Sequence, residues 1–129
     1  MKCLIDTHVL LWSMGKPENL SKRAREILIE STVFVSISSW WEVSLKFAIG
    51  KLELGNGTPE DLWKAAEKMN YELLPLSGQD ASSFYRLAKL HKDPFDRMIV
   101  WQAIRNNLPL LSKDNRLSAY EEYGLQLLW

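Results

Sequence analysis

Four acidic residues stand where an apolar run ends or a helix opens: Asp6 after Lys2 to Ile5, Glu42 after Val33-Phe34-Val35, Asp96 beside Pro94, and Asp114 after Leu111-Ser112. Taken singly, most have an ordinary structural role. Ser39-Trp40-Trp41-Glu42 has capping-box spacing, placing Glu42 in the first turn of its helix. Asp93-Pro94-Phe95-Asp96 reads as an N-cap, a first-position proline and an acid favoured by the helix dipole, and Asp114 suits a cap. Asp6 departs from this pattern, because an acid directly after a buried strand is costly unless it caps, pairs or binds metal. In combination, four carboxylates on one edge would repel one another unless a cation sat among them. Oxygen donors with few histidines point to a hard ion, Mg²⁺ or Mn²⁺, rather than zinc or iron. Such an ion keeps waters and binds phosphate, which suits phosphodiester hydrolysis.

Other chemistries find less support. Zinc would have only His8 and His91, far apart in sequence and with no thiolate cluster. His8 suits packing at a helix start, and His91, beside Lys92 and Asp93, suits a cation-tolerating helix end. No serine stands in a Gly-x-Ser-x-Gly elbow, and no phosphate-binding glycine loop is present. Of the nearby cations Lys46, Lys51, Arg97, Lys113 and Arg116, Arg97 is best placed to hold a neighbouring carboxylate or a backbone phosphate. The six tryptophans fall mostly at apolar positions, where core packing is their first role and a partner groove the second.

Sixteen Lys and Arg balance sixteen Asp and Glu, so no global positive field attracts nucleic acid and any such contact must be local. Cys3 is the single cysteine, which rules out a disulfide within the chain. Asp6 interrupts the first apolar run too early for a signal peptide, and charges break every later run before membrane-spanning length. A cytoplasmic protein is expected.

The acids need elements to position them. Continuous apolar runs at Lys2 to Ile5, Val33 to Val35, Tyr71 to Leu74, Pro109 to Leu111 and Leu125 to Leu128 predict five strands buried on both faces. Helical spacing falls between them at Ser21 to Glu30, Ser39 to Ile49, Pro59 to Met69, Gln79 to Leu90, Pro94 to Asn106 and Leu117 to Tyr123. Thr58-Pro59 with Asp61, and Ser77 with Asp80, supply start signals. The alternation predicts one α/β domain over residues 1 to 129 with a mostly parallel sheet. In such sheets ligands sit outside the carboxyl ends of the strands, the edge on which all four acids fall.

Four segments in order then carry a family likeness: Leu4-Ile5-Asp6-Thr7-His8 with Leu10-Leu11-Trp12, Ser36 to Ser39 leading into Trp41-Glu42-Val43, His91-Lys92-Asp93-Pro94-Phe95-Asp96-Arg97, and Leu111-Ser112-Lys113-Asp114. Together they resemble the PIN domain of VapC-type toxins. The resemblance implies a three-layer α/β/α sandwich with a five-stranded parallel sheet, and a Mg²⁺- or Mn²⁺-dependent endoribonuclease. Asp6, Glu42, Asp96 and Asp114 become the metal-binding acids. Asp93, Arg97, Ser112, Thr7 and Lys46 become accessory or substrate-contacting residues. A cognate antitoxin lying along a groove near the acids, and a homodimer, are implied as well. Ser112 stands where the family often has threonine, which keeps the hydroxyl. Two other readings stay open: an inactive domain that only binds a partner, and a phosphohydrolase with Asp6 as nucleophile. The second is weakened by His8, which occupies the position where such sites commonly want another acid.

Overall fold

In the computed structural model, which describes residues 1 to 129, the first apolar run forms β1 (Lys2–Ile5), with Cys3, Leu4 and Ile5 fully buried. Alternation along this strand divides the core. Cys3 and Ile5 point into one cluster with Val33 and Val35, whereas Leu4 points into the opposite cluster with Leu110. The first cluster is covered by α1 (Thr7–Gly15), α2 (Lys22–Glu30), α3 (Ile37–Ala48) and α4 (Pro59–Lys68), through Val9, Ala24, Val43 and Leu62. The second is covered by α6 (Pro94–Arg105) and a 3₁₀ run over Asn115–Tyr123, through Ile99, Ala103, Leu117 and Tyr120. The result is the expected three-layer α/β/α sandwich.

The remaining strands are β2 (Thr32–Ser36), β3 (Glu72–Leu74), β4 (Leu110–Leu111) and β5 (Leu127–Leu128), in the spatial order β3-β2-β1-β4-β5. Every neighbouring pair is parallel. The chain lays β2 and β3 on one side of β1, then returns to lay β4 and β5 on the other. The strand order therefore reverses between β1 and β4, where a crevice opens at the carboxyl ends. Ile5 is paired with Leu111 there, so the next residues, Asp6 and Ser112, emerge side by side.

Several helix boundaries differ from expectation. Helix α1 was not given by the spacing, because Val9-Leu10-Leu11-Trp12 is apolar without a gap; the Asp6 cap marks its start. Helix α3 begins at Ile37 because the Ser36 hydroxyl accepts from the Ser38 amide, and Glu42 consequently lies in the second turn rather than the first. The Thr58 cap is a full capping box with Asp61.

The helix expected from Gln79 to Leu90 is only α5 (Gly78–Ser83), followed by a 3₁₀ turn at Phe84–Arg86. Beyond it, the Tyr120 hydroxyl donates to the Ala88 carbonyl at 2.8 Å and accepts from the Leu90 amide at 3.0 Å. Backbone groups that a helix would have paired are satisfied by that one phenol. No helix is long and apolar enough to cross a membrane.

Candidate active site

At the crevice between β1 and β4, Asp6 closes the strand and caps α1, its Oδ1 accepting from the Val9 amide at 2.9 Å. The Ser112 hydroxyl donates to Asp6 Oδ2 at 2.5 Å and accepts from the Asp114 amide at 3.1 Å. One hydroxyl thus fixes the acid of β1 and the turn after β4. Asp6 is only 5% exposed, and burial pushes its carboxyl above the ordinary carboxylate range, against the opposing pull of the Ser112 and Val9 hydrogen bonds.

Asp114 caps the 3₁₀ run, accepting from the Arg116 amide, and Arg116 grips both of its oxygens at 2.9 Å. That fork, supported by the hydrogen bonds from the Arg116 amide and His91, holds the Asp114 carboxyl at about 2. The Arg116 side chain is 74% exposed, so it can swing away without disturbing the core.

Glu42 enters from α3 and is buried. Thr7 donates to its Oε1 at 2.7 Å, and Lys46, one helical turn on, holds its Oε2 at 2.5 Å. Thr7 has a single proton, which Glu42 takes, so the Ser39 hydroxyl at 2.9 Å donates to Thr7. Ser39 is therefore a buried prop of this network rather than the expected helix cap. The hydrogen bond to Glu42 raises the Lys46 ammonium above the usual lysine range.

Helix α6 supplies Asp96 one turn after its cap. Asp93 caps through Oδ1, which accepts from the Phe95 amide at 2.8 Å, with Pro94 at the first helical position. Burial, then the fields of Asp93, Asp6 and Glu42, push the Asp96 carboxyl up to about 6. Its one ion-pair neighbour is the imidazole of His91 at 3.8 Å. Asp6 has no Lys or Arg within salt-bridge distance, so of the four predicted ligands Asp6 and Asp96 are the ones without a Lys or Arg partner, and the neighbouring Asp93 has none either.

His91 is the residue the sequence undervalued. It ends no helix; it sits buried in the loop after Leu90, its Nδ1 accepting from the Asp93 amide and its Nε2 3.2 Å from Asp114 Oδ2. Ligand atoms of His91, Asp96 and Asp114 all lie within 4.8 Å of one another. Its spacing of two residues before the Asp93 cap was the available signal.

Arg97 requires the opposite correction. Its guanidinium bonds the Leu87 carbonyl at 3.1 Å and lies over the Phe84 ring at 4.7 Å, turned away from Asp96. It anchors the loop that carries His91 and is not among the groups lining the cleft.

Asp6, His91, Asp93, Asp96 and Asp114 line a cleft of about 680 Å³, together with Lys92, Lys113 and Arg116. The donor chemistry fits a hard divalent cation: several carboxylates, of which Asp6, Asp93 and Asp96 have no Lys or Arg partner.

A model of the PIN domain family matches residues 3–123. No curated protein matches the sequence. Solved structures share the fold over most or nearly all of the chain. VapBC2 from Rickettsia felis, bound to a DNA fragment from their promoter, is similar at TM-score 0.68 and 15% identity, over 99% of this chain and 98% of that one. DNA-bound VapBC from Salmonella typhimurium is similar at TM-score 0.64 and 21% identity, over 99% and 97%. A toxin-antitoxin complex from Klebsiella pneumoniae is similar at TM-score 0.58 and 18% identity, over 88% of each chain. At these identities the likeness concerns architecture, and the family match carries the assignment. This chain belongs to the PIN domain family.

Proposed function

We propose that this protein is a Mg²⁺- or Mn²⁺-dependent endoribonuclease, the toxin of a type II toxin–antitoxin pair. The observation that carries the reading is that Asp6, buried, and Asp96, half-buried, line one cleft without a Lys or Arg partner, beside His91 and Asp114. Asp6, Asp96 and Asp114 would hold the ion, which would supply phosphate polarisation and activation of the attacking water; His91, whose Nδ1 accepts from the Asp93 amide, donates from Nε2 to Asp114 and orients that carboxylate. Glu42, expected among the ligands, is held between Thr7 and Lys46 outside the cleft lining and acts on the site through its field at Asp96. Ser112 keeps Asp6 in place, and Asp93 sets the start of the helix that aims Asp96.

Asp6 is poorly disposed to be a phosphohydrolase nucleophile. Both of its oxygens accept hydrogen bonds, and almost none of its surface is open. An inactive partner-binding domain would have no reason to gather acids that raise one another's pKa at a cost in stability.

Two surfaces support the partners. A groove of about 610 Å³ between the end of α1, the 52–58 loop and α4 has an apolar floor that includes Leu11, Met14 and Leu62, suited to an antitoxin segment. On α3, Ile37, Trp41, Leu45 and Ile49 form an exposed apolar stripe at one residue per turn, suited to a second copy of the chain.

The reading is tested by thermal melting with added Mn²⁺. A cation bound by the folded state alone raises the melting temperature by mass action, and Asp6→Asn or Asp96→Asn should remove the response. A flat response in the parent protein would favour the partner-binding domain.

A further inference from the structure

We propose that Arg116 is a gate on Asp114 in the metal-free chain and, once released, the residue that grips a phosphate of the RNA in the cleft. This rests on the nuclease reading above.

An ionised carboxylate offers about four lone-pair sites to hydrogen-bond donors. Asp114 has all of them engaged. Its Oδ1 accepts from the Arg116 amide at 3.1 Å and from Arg116 Nε at 2.9 Å, and its Oδ2 accepts from Arg116 Nη2 at 2.9 Å and from His91 Nε2 at 3.2 Å. The amide and the imidazole are fixed by the fold: the amide belongs to the 3₁₀ run that Asp114 caps, and His91 is buried. The guanidinium is not, because the Arg116 side chain is 74% exposed. Its departure opens one lone pair on each oxygen. Asp114 therefore has no oxygen to offer a cation until Arg116 lets go, whereas Asp6 and Asp96 have no Lys or Arg to displace.

A released guanidinium remains at the site. Arg116 lines the cleft with Lys92 and Lys113, beside the carboxylates of Asp6, Asp93 and Asp96. Those carboxylates repel a phosphate backbone, so the cleft needs cations that are free to meet it. Lys92 and Lys113 carry single charges with no acidic partner. Arg116 brings a planar fork, and the two parallel bonds it makes to Asp114 are those it can make to two phosphate oxygens. The exchange trades one anion for another and leaves no guanidinium unpaired. Ion and phosphate then favour one another's binding, since each draws on a different half of the Arg116–Asp114 pair.

The test begins with nitrogen-15 NMR of the whole chain, following the Arg116 Nε–H signal as Mg²⁺ is added while the backbone amides of the cleft record binding. That proton should exchange slowly with water in the metal-free protein and severalfold faster at saturating Mg²⁺. Calorimetric titration with Mn²⁺ and cleavage of a mixed RNA pool are then run on the parent, Arg116→Gln and Arg116→Lys. Arg116→Gln should bind Mn²⁺ about twofold to tenfold more tightly. Its kcat/KM on RNA at saturating metal should nevertheless fall roughly tenfold to a hundredfold. Arg116→Lys, which keeps the charge without the fork, should show part of both changes. An arginine that only steadied the 3₁₀ run would give no gain in affinity on its removal.

If Mg²⁺ moves the cleft amides while the Nε–H proton stays protected, or if Arg116→Gln binds Mn²⁺ no more tightly than the parent, the gate is overturned. If Arg116→Gln keeps the parent's kcat/KM, the phosphate grip is overturned. The NMR titration of the parent decides the first point even if the variants misfold. If Mg²⁺ moves no cleft amide, Mn²⁺ gives no heat and RNA is not cut, the nuclease reading itself fails and this proposal fails with it.

Discussion

Ser112 donates its hydroxyl proton to Asp6, 106 residues earlier in the chain, while accepting the amide proton of Asp114. The parallel register makes this contact obligatory, since Ile5 and Leu111 are partners and the next residue of each strand follows into the crevice. Removing the hydroxyl leaves a buried carboxylate oxygen and an amide unpaired. Ser112→Ala should destabilise the protein by about 1–3 kcal/mol and weaken Mn²⁺ binding roughly 10- to 100-fold. Ser112→Thr should retain both properties. Chemical denaturation and calorimetric titration measure the two effects separately.

Asp96 should oppose stability in the metal-free protein. Its carboxyl titrates near 6 in the fold against an ordinary 3.8, so the folded state binds the extra proton between those values. The destabilisation is absent below about pH 4, grows as pH rises through that window, and is complete above about pH 6. Asp96→Asn should therefore stabilise the metal-free protein at neutral pH, by up to about 3 kcal/mol, while abolishing the Mn²⁺-induced rise in melting temperature. A variant that is less stable without metal would contradict the repulsion argument.

The same proton competes with the metal. Between pH 5 and about 6 the Mn²⁺ affinity should rise with pH, by up to about tenfold per unit, and then flatten once Asp96 is ionised. In Asp96→Asn this component of the pH dependence should vanish. Titrations at several pH values check the slope.

His91 belongs with the acids rather than with a helix end. His91→Ala should reduce Mn²⁺ affinity by about one to two orders of magnitude, with the circular dichroism spectrum unchanged. Arg97→Ala should leave the affinity nearer the parent value and instead loosen the Leu87–Asp93 loop, seen as faster amide exchange there, because Arg97 holds the Leu87 carbonyl and Phe84.

The stripe on α3 should mediate self-association. Leu45, 43% exposed, sits in its middle, and Leu45→Glu places a charge there without touching the core. The parent should sediment as a dimer and the variant as a monomer with the same melting cooperativity. Two monomeric proteins would remove the second copy from the account.

The strands and the acidic edge were legible because they depend on local pattern: apolar runs mark the strands, and Asp6, Asp96 and Asp114 follow them or open the next helix. Burial on both faces holds for the central β1 and β4 but not for the edge strands, where β3 leaves Glu72 and Leu73 exposed and β5 is half-buried, because edge position depends on the whole sheet. The helix after Gln79 was overextended because nothing in its own residues reveals that the Tyr120 hydroxyl, far along the chain, satisfies Ala88 and Leu90. His91 was discounted for the same reason, since its partner Asp114 lies 23 residues away. Arg97 misled in the other direction: adjacency to Asp96 suggested a shared task, but neighbours on a helix point about 100° apart.

The most direct test is cleavage of a mixed RNA pool by purified, antitoxin-free protein with Mg²⁺, Mn²⁺ or chelator, beside Asp6→Asn and Asp96→Asn prepared identically. Metal-dependent cutting by the parent, lost in both variants while their folds survive, is the predicted result. Equal cutting by parent and variants, or cutting that persists in chelator, would contradict the assignment of these acids.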